Sequence, residues 1–500
     1  MLAHAGSLFF PPDSTWLWLV GPMGSLGMTL FFVLSGFVIH YNYATTVVGD
    51  LRGGAARFFQ ARFARIYPLF ILLLLVDLAT HLSAPSVDPT TNTAASLPFF
   101  LTLTQSWIYL PLVGRPLHET GFAVGGLMWS ISTEWFFYLC YPILALAIVR
   151  LRRPRAATIG ALAFVAAVLS VWFVVSLRTG SINAFASDHY GDFGDGRVNG
   201  GGDLLRWLFY FSPYTRIAEF VLGCMTAQVF VTVSSAAPNP MPPPVVRWLM
   251  PLLVGGMIGL EFIVLNPGAD SWFLLLSYGF GVAPLIAALI YCCARYPGAW
   301  TARALSLPLL VACGDASYSI YLLHPMVFEF VGIPAGDRAG ATLAFSITRA
   351  LLAISWVVLL SISMYRCFEA PARAWLRRGF AAADLRRRLV AWSAMAAPAV
   401  AAVVLFAINL SAAPPNTIGF VSATYAAGKS GTFNNAVGDL ALQCLHKASC
   451  TYVLDTNRVL DPAPGEAKVF TAQWRCRGWH PVQSVTVSAP TAPIVRLTCR

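Results

Sequence analysis

Long apolar runs separated by short polar loops set the pattern of this chain. Runs long enough to cross a bilayer, about 20 residues, occupy 25–41, 66–82, 129–149, 157–177, 207–231, 249–265, 273–293, 308–331, 344–365 and 391–412. Arginines gather in four of the intervening loops. These hold Arg52, Arg57, Arg62 and Arg65; Arg150, Arg152, Arg153 and Arg155; Arg295 and Arg303; and a dense set from Arg366 to Arg388. Short Arg-rich loops stay on the cytoplasmic side, so an even number of crossings has to separate one such loop from the next. The fourth to seventh runs satisfy this, and so do the eighth and ninth. Between Arg65 and Arg150 only 66–82 and 129–149 can cross, so the apolar stretch 97–113 is expected to be re-entrant or to lie along the outer interface. The run 391–412 then leaves the cytoplasm and carries the tail outside. Met1–Phe10 is apolar, too short to span, and ended by Pro11-Pro12. It reads as the outer end of a helix whose inner half lies upstream, so the native reading frame is expected to start before Met1.

Composition agrees with this pattern. The 500 residues are 57% hydrophobic and 11% charged, whereas soluble domains carry about a quarter charged residues. The expected fold is an all-α polytopic membrane protein. Its net charge of +11 comes from the loop arginines, which implies the lipid bilayer and not nucleic acid as partner. All three lysines, Lys429, Lys447 and Lys468, fall in the tail and mark it as a separate soluble module. Cys444, Cys450, Cys476 and Cys499 fall there too, an even number that points to an oxidising compartment. Two disulfides in a small β-rich domain are expected, with three connectivities open. The other six cysteines lie in or beside apolar runs and read as packing residues. The expected organisation is a membrane core over 1–375, a basic cytoplasmic linker over 376–390, a further transmembrane helix over 391–412 and an extracytoplasmic domain over 413–500.

Polar groups inside the apolar runs mark the candidate chemistry. In the stretch from Trp129 to Pro142, helical spacing puts Ser130, Glu134, Tyr138 and Tyr141 on one stripe. A charge in a spanning helix costs roughly 2.5–3.5 kcal/mol on insertion scales, so Glu134 should face a polar interior with a partner, as an interhelical hydrogen bond or as a functional carboxylate. His4 reads as a buried hydrogen-bonding imidazole or as a general base near neutral pH. Ser35-Gly36 is a small pair that lets helices approach closely. Arg57, Arg62 and Arg65 precede Ile66-Tyr67-Pro68 at a cytoplasmic mouth, where they either obey the charge rule or grip the phosphates of a cytosolic donor. Arg62 and Arg65, at i and i+3, share a face. Arg216 and Glu219 at the same spacing read as a self-neutralising pair. Ser317, Tyr321 and His324 form a polar stripe with Tyr318 alongside, and Pro325 removes the amide that would bond the Tyr321 carbonyl. Glu369, set among arginines, reads as a salt-bridge partner. No paired His or carboxylate spacing supports a metal site.

Seven features follow in order: His4, Phe31–Phe37, Arg62–Pro68, Trp129–Pro142, Arg216–Gly223, Ser317–His324 and Phe368–Pro371. Together they resemble acyltransferase family 3, integral membrane O-acyltransferases, across residues 1–375. The resemblance implies a ten-helix acyltransferase core, its first helix truncated here, with 391–412 as an eleventh span. It implies transfer of an acyl group, often acetyl, from cytosolic acyl-coenzyme A to a hydroxyl, with no permanently bound cofactor. The acceptor would be a cell-envelope glycan, a lipid-linked sugar or a similar molecule. His4 matches the family's histidine and would be the general base; Glu134 matches its membrane carboxylate and would orient His4 or the acceptor. Arg62 and Arg65 would hold coenzyme A phosphates, and Tyr318, Tyr321 and His324 would line the acyl or pantetheine path. The implied location is a bacterial inner membrane, multi-pass, with the C-terminal domain periplasmic or extracellular. The family places an arginine upstream of its histidine, at a position before this chain begins. Some members carry a serine-esterase-like domain, whose Gly-Asp-Ser block the tail lacks. The rival reading is a proton-coupled transporter or flippase of an envelope precursor, with Glu134, Arg216–Glu219 and His324 as its path.

Overall fold

The computed structural model describes residues 1–10, 22–83, 90–110, 117, 127–182, 185, 204–236, 244–264, 279–332, 342–412, 417–427, 433–444, 447–454, 459, 466–476, 483–489 and 494–499. Pro11-Pro12 and residues 111–113 lie outside them. The helices are α1 (Leu2–Phe9), α2 (Pro22–Gly49), α3 (Leu51–Ser83), α4 (Thr90–Thr102), α5 (Trp129–Ile148), α6 (Pro154–Ser176) and α7 (Pro213–Ala236). They continue as α8 (Pro244–Val264), α9 (Ala283–Arg295), α10 (Pro308–Asp315), α11 (Ser317–Val331), α12 (Leu343–Met364), α13 (Ala370–Phe380) and α14 (Leu385–Ala412). Several open on a proline, whose missing amide is no loss in a first turn. Among the described residues, six stretches are long and apolar enough to cross a membrane: Met23–Gly49, Trp129–Ile148, Pro154–Ser176, Leu204–Ala236, Leu343–Phe380 and Leu385–Leu405.

Three expectations change. The arginines from Arg52 to Arg65 sit on α3 and not in a loop. Asp50 alone separates α2 from α3, and its carboxylate accepts the Gly53 amide at 2.9 Å, an N-cap that restarts the helix at once. The run 308–331 is broken at Ala316 (φ −86°, ψ 7°) after Gly314-Asp315, both poor helix formers. The described helix of the run 273–293 starts only at Ala283-Pro284. The basic stretch 376–390 is mostly helical: α13 ends at Phe380, and Asp384 caps α14 by accepting the Arg386 and Arg387 amides, each at 3.3 Å.

The chain folds as two compact units, the first made of Met1–Val76, Thr133–Leu177 and Ser212–Met395. Here α2 and α7 pack backbone to backbone. A Cβ on Gly36 would collide with the Phe220 carbonyl, and one on Gly223 with the Val33 carbonyl, so only glycine permits this approach. Beside the contact, Phe32 meets Phe137 edge-on at 5.2 Å and Phe137 stacks on Phe220 at 5.1 Å, which binds α5 to both helices. The expected pair Arg216–Glu219 forms and is wholly buried. The guanidinium lies 5.2 Å from the Phe32 ring centroid, and Thr29 donates to Glu219 Oε1.

The second unit joins Asp77–Ser132, Arg178–Phe211 and Ala396–Arg500. The described part of its apolar stretch 97–113, residues 97–110, forms no long helix. Helix α4 has 13 residues, about 20 Å at 1.5 Å per residue, and stops at Leu103 in the left-handed region (φ 56°). The Leu103 amide bonds Phe100 O and the Thr104 amide bonds Phe99 O, the paired reverse bonds of a Schellman end made without glycine. Polar groups then stitch the chain to the start of α5. Gln105 donates to Met128 O (3.0 Å), Ser106 to Ser132 Oγ (2.9 Å), Ser132 to Leu103 O (2.8 Å) and Trp107 Nε1 to Ser132 O (3.0 Å). Irregular backbone in apolar sequence has to be satisfied by protein in this way.

The tail contains β1 (Ile418–Ala427), β2 (Phe433–Asn435), α15 (Val437–Cys444), β3 (Ser449–Val453), β4 (Lys468–Cys476), β5 (Gln483–Ala489) and β6 (Ile494–Thr498). An antiparallel sheet runs β2-β1-β4-β5, and β3 pairs with β6. Alternate residues Ala423, Tyr425, Phe470, Ala472 and Trp474 face one core. The two expected disulfides are Cys444–Cys450 and Cys476–Cys499.

Candidate functional site

The site lies in the first unit, and α1 delivers its principal residue. Ala5 and Phe9 bury their side chains among Phe328 of α11 and Ala350, Ala353 and Val357 of α12. Phe9 meets the Phe328 ring edge-on at 5.7 Å. This seat brings the next face of α1, carrying His4, against α11. His4 Nδ1 lies 2.8 Å from His324 Nε2, with the rings within 6° of parallel. His324 is 2% exposed. Its other nitrogen, Nδ1, sits 2.8 Å from the Tyr321 carbonyl and 3.2 Å from that of Ile320. The Tyr321 ring lies 5.9 Å from the His324 ring and stacks toward Phe31 at 6.4 Å.

The side chain bonded to His4 in this structure is His324, a residue the resemblance places on the acyl or pantetheine path. Glu134 projects from α5 toward α2, where Ser35 Oγ donates to its Oε1 at 2.7 Å. Both Glu134 and its helix neighbour Tyr138 are buried. The sequence stripe is real, and it serves α2 and α3 as its neighbours.

Arg62 lies at the entrance of the apolar part of α3. Its Nη2 donates to the Tyr43 hydroxyl at 2.9 Å. The guanidinium sits 4.9, 5.9 and 5.7 Å from the ring centroids of Tyr43, Phe58 and Tyr138, an aromatic cage suited to a cation. Arg65, one turn on, interacts electrostatically with Glu369. Among the described residues Glu369 makes no direct ion pair of the kind expected of it; it accepts a hydrogen bond from Ser319 at 2.6 Å. Tyr318 donates to the Ile66 carbonyl at 2.8 Å, which ties α11 to α3. Arg57 is exposed and pairs with Asp50 at 3.3 Å.

The hydrogen bonds of Tyr43, Ser35 and Ser319 are not among the contacts the sequence predicts. Ser35 stands out in the sequence for its small size, and its hydroxyl is the signal that a buried carboxylate on another helix can use it. Tyr43 and Ser319 carried no signal that one chain's periodicity reveals.

Residues 1–366 match the acyltransferase 3 family, described as an acyltransferase domain. The chain is 25% identical over 371 residues to the O-acetyltransferase OatA of Staphylococcus aureus, covering 73% of this chain and 54% of that protein. It is 26% identical over 324 residues to the acyltransferase MdmB of Streptomyces mycarofaciens, covering 62% of this chain and 69% of that one. The chain spans about half the length of the Staphylococcus aureus relatives it matches. No solved structure matches it.

Proposed function

This chain belongs to the acyltransferase 3 family, and we propose that it is a membrane O-acyltransferase that moves an acyl group, acetyl in the first instance, from cytosolic acyl-coenzyme A to a hydroxyl of a cell-envelope glycan, a lipid-linked sugar or a similar acceptor. The observation that carries this reading is the anchoring of His4 through Nδ1, at 2.8 Å from His324, its one side-chain hydrogen bond among the described residues. One ring nitrogen is used for positioning, and Nε2 is the nitrogen that can meet a substrate hydroxyl.

In this reading Nε2 of His4 takes the hydroxyl proton as the oxygen attacks the thioester carbonyl. A carbon–oxygen bond forms, the carbon–sulfur bond breaks, and the thiolate of coenzyme A leaves and recovers a proton from the imidazolium. Glu134 adds a negative charge that favours the imidazolium and orients the acceptor. Arg62, fixed in its aromatic cage, and Arg65 meet the phosphates of the donor, while Tyr318 and Tyr321 line the route of its acyl arm.

Purified full-length protein in nanodiscs, given acetyl-coenzyme A and chitotetraose as a probe acceptor, tests this by release of free coenzyme A. His4→Ala should lower kcat by at least ~10²-fold, the usual scale of general-base catalysis, and leave donor binding intact. Arg62→Ala and Arg65→Ala should raise the donor KM, since contacts to phosphates are made in ground and transition states alike. A fully active His4→Ala protein would end the mechanism, and absence of thioester consumption by the wild-type chain would favour a transporter.

A further inference from the structure

Resting on the proposed acyl transfer, one buried hydroxyl beside Glu134 acquires a role. We propose that Tyr138 is a positioning residue that ties Glu134 to the donor-binding Arg62, so that the carboxylate and the donor clamp act as one hydrogen-bonded unit.

Tyr138 follows Glu134 by four residues on α5, so the two share a face one turn apart. It is 1% exposed. Its ring lies 5.8 Å from that of Phe58 and 6.3 Å from that of Trp135, both in edge-on contact. A phenylalanine would make these contacts equally well. Packing therefore does not call for the hydroxyl, and a buried hydroxyl costs free energy unless it is hydrogen-bonded. The Tyr138 hydroxyl has partners of opposite charge: the Glu134 carboxylate on its own helix and the Arg62 guanidinium on α3.

The direction of both bonds follows from chemistry. A guanidinium only donates, and an ionised carboxylate only accepts. The phenol has a single proton, so Glu134 receives it and the phenol oxygen accepts from Arg62. The guanidinium is held in place for this: it donates from Nη2 to Tyr43 at 2.9 Å and lies 5.7 Å from the Tyr138 ring centroid. On the other side, Ser35 donates to Glu134 Oε1 at 2.7 Å. Two hydroxyls thus hold the carboxylate, one from α2 and one from its own helix, and Arg62 governs the second. An arginine that engages the donor phosphates therefore also fixes where Glu134 points. Tyr138 itself touches neither the donor nor the acceptor in this scheme.

The test uses the full chain in nanodiscs, with coenzyme A release from acetyl-coenzyme A and chitotetraose as the readout. Tyr138→Phe removes the hydroxyl and keeps the ring. It should lower kcat at least ~10-fold, the scale of one hydrogen bond to a charged group, with the KM for acetyl-coenzyme A and the melting temperature unchanged. Because Tyr138 acts through Glu134, adding Tyr138→Phe to Glu134→Gln should lower kcat no further, within about 2-fold. A merely structural tyrosine would multiply the two losses. Arg62→Ala should lower kcat at saturating acetyl-coenzyme A as well as raise KM, since the phenol proton is then free to turn from Glu134. Wild-type kcat in Tyr138→Phe, multiplied losses in the double variant, or an unchanged kcat in Arg62→Ala would each overturn the proposal. If Tyr138→Phe does not fold, the kcat of Arg62→Ala decides. An active His4→Ala protein would instead remove the histidine mechanism, while Tyr138→Phe still reports on Tyr138, so the two failures are distinct.

Discussion

Glu134 shows what a single residue can and cannot announce. A carboxylate in a run from Trp129 to Ile148 needs a partner, and that much is legible from the cost of burying charge. Its partner, Ser35, lies on α2 at 2.7 Å, and nothing in the spacing of α5 points there. His4 and His324 were both visible as candidates, yet periodicity reports on one helix at a time, and their meeting depends on where Ala5 and Phe9 bury. The Ser35 bond makes a specific prediction. Glu134→Gln keeps an oxygen for Ser35, so the fold should persist, while loss of the charge should lower kcat by roughly 10²-fold if the carboxylate favours the imidazolium. Thermal melting and coenzyme A release on the same preparation separate the two effects. A Glu134→Gln protein with wild-type kcat would show that the carboxylate is only an anchor for α2.

At the scale of elements, hydropathy finds the helices and misjudges where they stop. The run 308–331 looks continuous because a window average hides Gly314-Asp315, and the break at Ala316 follows from local propensity. The stretch 97–113 is mostly apolar in its first half, and its helix ends at Leu103 through reverse hydrogen bonds that usually require glycine. Gly36 was legible as a packing residue, and the crossing with Gly223 bears this out. Gly36→Ala and Gly223→Ala should each destabilise the protein by at least about 1–3 kcal/mol, the cost of overpacking, because the obstacle is a backbone carbonyl that cannot rotate away. Gly27→Ala, on the same helix with nothing within 4 Å of its Cβ, is the control and should melt like the wild type. Equal melting of all three would refute the close approach.

The described strands all lie after residue 412, where the lysines and the paired cysteines also cluster, so the change from helix to strand was readable from composition. Which cysteines pair was not readable, since four allow three connectivities. Under non-reducing alkylation the four tail thiols should be protected. The bridges close loops of different size, with separations of 6 and 23 residues. In the chain-entropy account their loss should cost about 2 kcal/mol for Cys444→Ser and about 3 kcal/mol for Cys476→Ser, and reversal of that order in urea unfolding of the tail's own transition would argue against it. Impermeant thiol reagents should reach single cysteines placed at 85–95 and at 115–125 from the same face; opposite accessibility would contradict the crossing count. The pairing pattern also bears on manufacture. Cys444 meets Cys450 before Cys476 has been synthesised, and Cys476 then has only Cys499 left to find. An oxidant that joins thiols in order of emergence makes both correct bonds at the first attempt, so the yield of this tail should be indifferent to a disulfide isomerase.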